Sequence, residues 1–233
     1  MIRAYHFVGD KLRDGRPVPP DDDWLIHNEP IMMCESGLHA SRHPFDALMY
    51  APGPVLCLVD CDEIDAEEND KLVCRRRRIV ARFDATALMR TFARQCALDV
   101  IHLWDAPQVV REYLTTGDES LKASTEIAAS AREIAASVRE ICAAYAQRDA
   151  PLRAGAAAGA AGFAAAAGLA ATEAVRGAAW NSRRAIALNA VYSHSTIARR
   201  KEENAAWNSE RGAQRERFAR LVADEFARMG ATV

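Results

Sequence analysis

The sequence predicts an α+β protein: a small strand-rich N-terminal domain over residues 1–117, then an alanine-rich helical hairpin or bundle over residues 118–233. Two observations carry this. Up to about Asp84 the apolar runs are brief and punctuated by Gly and Pro, as short strands and turns require. Beyond it they recur with a period near 3.6, and from residue 118 alanine dominates.

In order along the chain, Ile2–Val8 reads as the first strand, with Ile2, Ala4, His6 and Val8 on one side and Arg3, Tyr5 and Phe7 on the other. The stretch from Gly15 to Asp23 contains Pro17, Pro19 and Pro20 and must be a loop. Trp24–His27 and Ile31–Cys34 follow as short extended pieces, and Gly37–Ser41 as a strand entering a helix over Pro44–Tyr50 with Ser41 as its N-cap. Val55–Cys61 is a nearly continuous apolar run, the pattern of a strand buried on both faces. An acidic loop comes next, and Lys71–Asp84 reads as the antiparallel partner.

Leu88, Phe92, Cys96 and Val100 line a helix ending near Trp104, and Pro107–Thr116 is a second, closed by Gly117. Asp118 caps a third. Within it the text repeats every seven residues: Ile127, Ile134 and Ile141 form one apolar row, with Ala131, Val138 and Tyr145 four residues after each, the narrow seam of a coiled-coil helix. Pro151 interrupts. Ala154–Thr172 is long enough to span a membrane, but alanine and glycine supply little transfer free energy, so a tightly packed helix outside the membrane is expected. Ala178-Ala179-Trp180-Asn181-Ser182 recurs as Ala205-Ala206-Trp207-Asn208-Ser209, which places Trp180 and Trp207 on one side of a long helix or on neighbouring helices. Gln214–Met229 is an amphipathic helix.

Thirty basic residues against 32 acidic ones leave a net charge of −2, so nothing draws the chain to nucleic acid or anionic membrane in general. No secretion signal is visible, which suggests a cytoplasmic protein whose six cysteines stay as buried, inert thiols.

Tyr5-His6-Phe7-Val8-Gly9-Asp10, Cys34-Glu35-Ser36-Gly37-Leu38-His39-Ala40-Ser41, Asp46-Ala47-Leu48 through Tyr50-Ala51-Pro52-Gly53, and His102-Leu103-Trp104-Asp105-Ala106-Pro107 resemble a family of unknown function from bacteria and their phages. The resemblance covers roughly residues 1–120, and in that family an alanine-rich tail with repeated tryptophans commonly follows. It supplies no activity. It implies a phage or prophage setting and favours a role against host machinery or defence.

Several constellations could carry chemistry. Cys34, His39 and His43, with Cys57 or Cys61, could ligate zinc, but the paired Cys-x2-Cys spacing of structural sites is missing and no metal is expected. The order of elements is also similar to that of ADP-ribosyltransferases, in which a first-strand His or Arg and a later Ser or Tyr hold a nicotinamide dinucleotide. That likeness makes His6, His39 and Ser41 the catalytic candidates and NAD the cofactor. It lacks a recognisable carboxylate, for which Glu63 and Glu112 are the stand-ins. The run Arg75-Arg76-Arg77-Arg78 follows an acidic segment and alternates two to a face, so the reading is neutralisation across the hairpin, the alternative a phosphate patch at Arg76 and Arg78 or at Arg75 and Arg77. With no complete catalytic set, the expected function is a binding or assembly module without a cofactor, engaging a protein partner or a second copy through residues 118–233, Trp180 and Trp207 included.

Overall fold

The computed structural model describes residues 1–142, 149–166, 171–190 and 196–232, with side chains over 1–130, 132–133, 155–166, 171–187 and 201–232. Among the described residues the strands are β1 (Ile2–Val8), β2 (Leu25–Ile26), β3 (Leu38–Ala40), β4 (Val55–Glu67) and β5 (Leu72–Asp84). The helices are α1 (Pro44–Met49), α2 (Thr86–Val100), α3 (Gln108–Thr116), α4 (Lys122–Cys142), α5 (Asp149–Ala165), α6 (Ala171–Ala190) and α7 (Thr196–Arg228). The chain is α+β, as the change of period requires.

The chain forms two compact units, residues 1–88 with 215–233, and residues 89–214. This differs from the division near residue 117 that composition suggests. The end of α7 returns to the strands because Phe218, Val222 and Phe226 are buried there, with Phe226 against Tyr5 and Phe83, and Phe218 edge-on to Phe45.

In the first unit the sheet is antiparallel in the order β1-β4-β5-β2, with β3 also on β5. The acidic segment is not a loop: β4 runs on to Glu67 and pairs with β5 as far as Leu72, so the hairpin connection is short. Ile64 and Ala66, on alternate positions, keep one side of the extension apolar enough to pair. Ile31–Cys34 is not extended either; it enters a tight turn in which Met32 bridges Ser36 and Cys34 takes φ 69°. Ser41 is not the N-cap of α1. His43 is, its ring accepting the Phe45 N–H at 3.3 Å, because Ser41 is held in the sheet by two backbone hydrogen bonds to Tyr5.

One face of the sheet packs Ala4, Val8, Leu38, Ala40, Cys57, Val59, Cys61, Leu72, Cys74 and Ile79 into a core, with Ile2, Leu12, Val18 and Leu25 at its rim. The side of β1 expected to carry Ile2, Ala4, His6 and Val8 is the one that contributes to this core. Between Leu58 and Val59, and again between Ile64 and Ala66, the β4–β5 register shifts, and such bulges bend the strands. The bent sheet brings β3 back beside β1.

In the second unit α4 packs on α5 and α5 on α6. Ala157, Ala158, Ala160 and Ala161 are buried, and a Cβ on Gly177 would lie 2.2 Å from the Phe163 ring, so small residues let these helices approach closely. Pro151 does not break a helix; it sits in the first turn of α5, where its missing N–H costs nothing. Tyr113 donates its hydroxyl to the Ala164 carbonyl at 2.9 Å. Among the described residues no helix is long and apolar enough to cross a membrane. Ile127, the first residue of the heptad row, is 71% exposed, while the side chains of Ala131, Ile134, Val138, Ile141 and Tyr145 lie outside the described residues.

Candidate functional site

The site candidates converge on the curled sheet because β1 and β3 are neighbours. Tyr5 N–H donates to the Ser41 carbonyl at 2.8 Å and Ser41 N–H to the Tyr5 carbonyl at 2.9 Å. His6 pairs with Cys57 of β4, on the core side, and is partly exposed. Burial first, then the charges of Arg77 and His39, hold its imidazole well below the ordinary histidine range, so at neutral pH the ring is uncharged.

His39 has a local task. Its Nε2 accepts the Cys34 N–H at 3.0 Å, which ties down the left-handed Cys34, and burial lowers its pKa against the pull of the Gly37 backbone. Ser41 is buried, its backbone given to Tyr5. His6 and His39 are thus near enough to sense each other, but neither stand-in carboxylate joins them. Glu63 is exposed, at φ 52°, and faces Arg75 and Arg76 at 4.0 and 3.9 Å. Glu112 is in α3 of the other unit.

The arginine run divides by face as strand alternation demands. Arg76 reaches Asp62 at 3.5 Å and Arg78 reaches Asp60 at 2.9 Å, and both guanidiniums stack on Trp24, at 4.6 and 5.2 Å from the ring centroid. Arg3 adds a second cation to Asp60 at 2.8 Å, and of the suggested phosphate patch Arg78 gives two nitrogens to Asp60 while Arg76 reaches Asp62 with one. Neutralisation across the hairpin is what this geometry supports. Arg77 turns to the opposite side, into the core, and donates to the His39 carbonyl. The alternation of the run splits the arginines between two faces; which of them is buried depends on the bend of the sheet.

The thiols fall into two kinds. Cys57, Cys61, Cys74 and Cys96 are buried thiols outside any disulfide, but Cys34 is exposed, contrary to the expectation of uniform burial, because it sits at the turn before β3. Burial pushes Cys57 up to about 12, and a hydrogen bond shared with Cys74 together with burial raises Cys61 further. Cys74 Sγ donates to the Leu38 carbonyl at 3.2 Å. Among the described residues no three His, Cys, Asp or Glu side chains are grouped so as to hold a metal ion; His43, in particular, is spent on capping α1.

In the second unit Trp180 and Trp207 meet edge-to-face at 6.0 Å, on the neighbouring helices α6 and α7. Arg183 lies over the Trp207 ring and Arg184 over the Trp180 ring, at 5.1 and 5.6 Å. Trp180 remains 46% exposed.

No curated protein and no solved structure matches the chain. Residues 2–91, the stretch that builds the sheet and carries His6, His39, Ser41 and Arg77, match the family model of a domain of unknown function (DUF7666).

Proposed function

We propose that the protein is an assembly module that associates through its helical region with a second copy of the chain. The observation that carries this is Ile127: it heads a seven-residue row of isoleucines on α4 and is 71% exposed in the single chain. A β-branched residue repeating at that spacing is the knob of a coiled-coil seam, and Ile127 left in water forgoes its transfer free energy, about 2 kcal/mol. The bacterial and phage setting of the resembled family supports a role for such an assembly against host machinery or defence, inside the host cytoplasm. Sedimentation equilibrium on the full chain tests the association: a dimer is expected, with dissociation at least tenfold easier in Ile127→Asp. A chain that stays monomeric at high concentration overturns it.

The backbone pairing of Tyr5 with Ser41 favours a second reading, an ADP-ribosyltransferase-like site for a nicotinamide dinucleotide at His6, His39 and Ser41. That neither Glu63 nor Glu112 joins these residues weighs against it. Calorimetry with the dinucleotide is the test: on this reading it binds, and His6→Ala loses about 1–3 kcal/mol of affinity, the usual range for a lost buried polar contact. No heat with wild-type protein ends the reading.

A further inference from the structure

The inside of the curled sheet holds a cation that no carboxylate answers. Arg77 is 6% exposed and lies on β5 opposite Cys61 of β4 and Leu25 of β2. Its neighbours Arg75, Arg76 and Arg78 each have an acidic partner, whereas among the described residues no Asp or Glu is within ion-pairing distance of Arg77; its hydrogen bond is to the His39 carbonyl. A guanidinium does not give up its proton near neutral pH, and a buried charge without a counter-charge is costly. The surrounding groups do not supply the charge. His6 offers a neutral ring, Cys57 and Cys61 are held protonated, and Cys74, although its hydrogen bond with Cys61 lowers its pKa, still directs its S–H at the Leu38 carbonyl.

We propose that Arg77, together with the imidazole of His6, forms a subsite for an oxyanion of the phosphate class inside the curled sheet, reached from solvent past the partly exposed His6. The donor set favours this class. The guanidinium fork comes from β5, the ring N–H from β1 and the Cys57 thiol from β4, so the donors come from three different strands. A tetrahedral oxyanion presents oxygens in several directions at once, whereas a planar carboxylate would be satisfied by the fork alone. The subsite stands apart from both functional readings above, since it needs neither a second copy nor a nucleophile.

The test is titration of the full chain with inorganic phosphate, pyrophosphate and ADP, followed by calorimetry, thermal unfolding and the NMR signals of the His6 ring. Binding is expected to raise the melting temperature with the logarithm of ligand concentration above Kd, to move the His6 signals, and to weaken at least tenfold in Arg77→Gln but not in Arg42→Gln, whose exposed side chain pairs with Glu67. Tighter binding of ADP than of phosphate identifies a phosphoryl group of a larger ligand; equal binding identifies the free ion. The wild-type His6 signals decide the matter if Arg77→Gln does not fold. The proposal is overturned if none of the three ligands gives heat or moves those signals, if Arg77→Gln binds undiminished, or if a thiolate absorbance that disappears in Cys74→Ser shows that the counter-charge is internal.

Discussion

Phe226→Ala is expected to destabilise the N-terminal unit by about 4 kcal/mol, the range for truncating a fully buried phenylalanine. Phe226 is 0% exposed and lies 5.0 Å from the Phe83 ring, edge-on, and 6.4 Å from Tyr5. The loss has two parts. The ring's transfer free energy disappears, and the cavity left between α7 and the strands cannot close without moving Tyr5 and Phe83, which are themselves set by the sheet register. Urea unfolding of the variant, read by tyrosine fluorescence, measures the change. A cost below about 1 kcal/mol would mean that the end of α7 does not pack on the strands as described.

Asp60→Ala is expected to cost about 3 kcal/mol. The carboxylate is 2% exposed and accepts from Arg3 Nε at 2.8 Å and from Arg78 at 2.9 and 3.1 Å, so its removal leaves two guanidiniums facing each other. Both arginines keep about a third or more of their side chains in water, which places the cost at the lower end of that found for breaking buried pairs. The double variant Arg3→Met with Asp60→Ala should recover part of the loss, because one of the two unpaired cations is then gone. Chemical denaturation of these two variants and of Arg3→Met alone gives the coupling. If Asp60→Ala is as stable as wild type, the Arg3–Asp60–Arg78 cluster contributes nothing and the cations are satisfied by water.

These two sites show different degrees of legibility. The aromatic positions of α7 were readable, since Phe218, Val222 and Phe226 fall on one helical face. Their destination was not, for a helix with an apolar stripe does not state which surface it covers, and composition grouped this helix with the alanine-rich region. The opposition of acidic and basic residues along the hairpin was readable as mutual neutralisation. The extension of β4 through Asp62–Glu67 was not, because alternating Asp and Glu have low strand propensity and only the partner strand makes them pair.

The candidate site divides in the same way. Strand alternation sufficed to put His6 on the side of Ala4 and Val8, and to split the arginine run between two faces, because the direction of a side chain in a strand depends only on its parity. The change of hydrophobic period sufficed for the fold class, and the spacing of the two tryptophan repeats for their being able to meet. What parity and period do not contain is distance between segments far apart in the chain. The closing of β3 onto β1 through Tyr5 and Ser41 and the burial of Arg77 without a carboxylate follow from the bulges that curl the sheet, and the commitment of His39 to Cys34 follows from the tight turn before β3. A bulge is a local register choice settled by the packing of the whole core, so no residue pattern along the chain announces it.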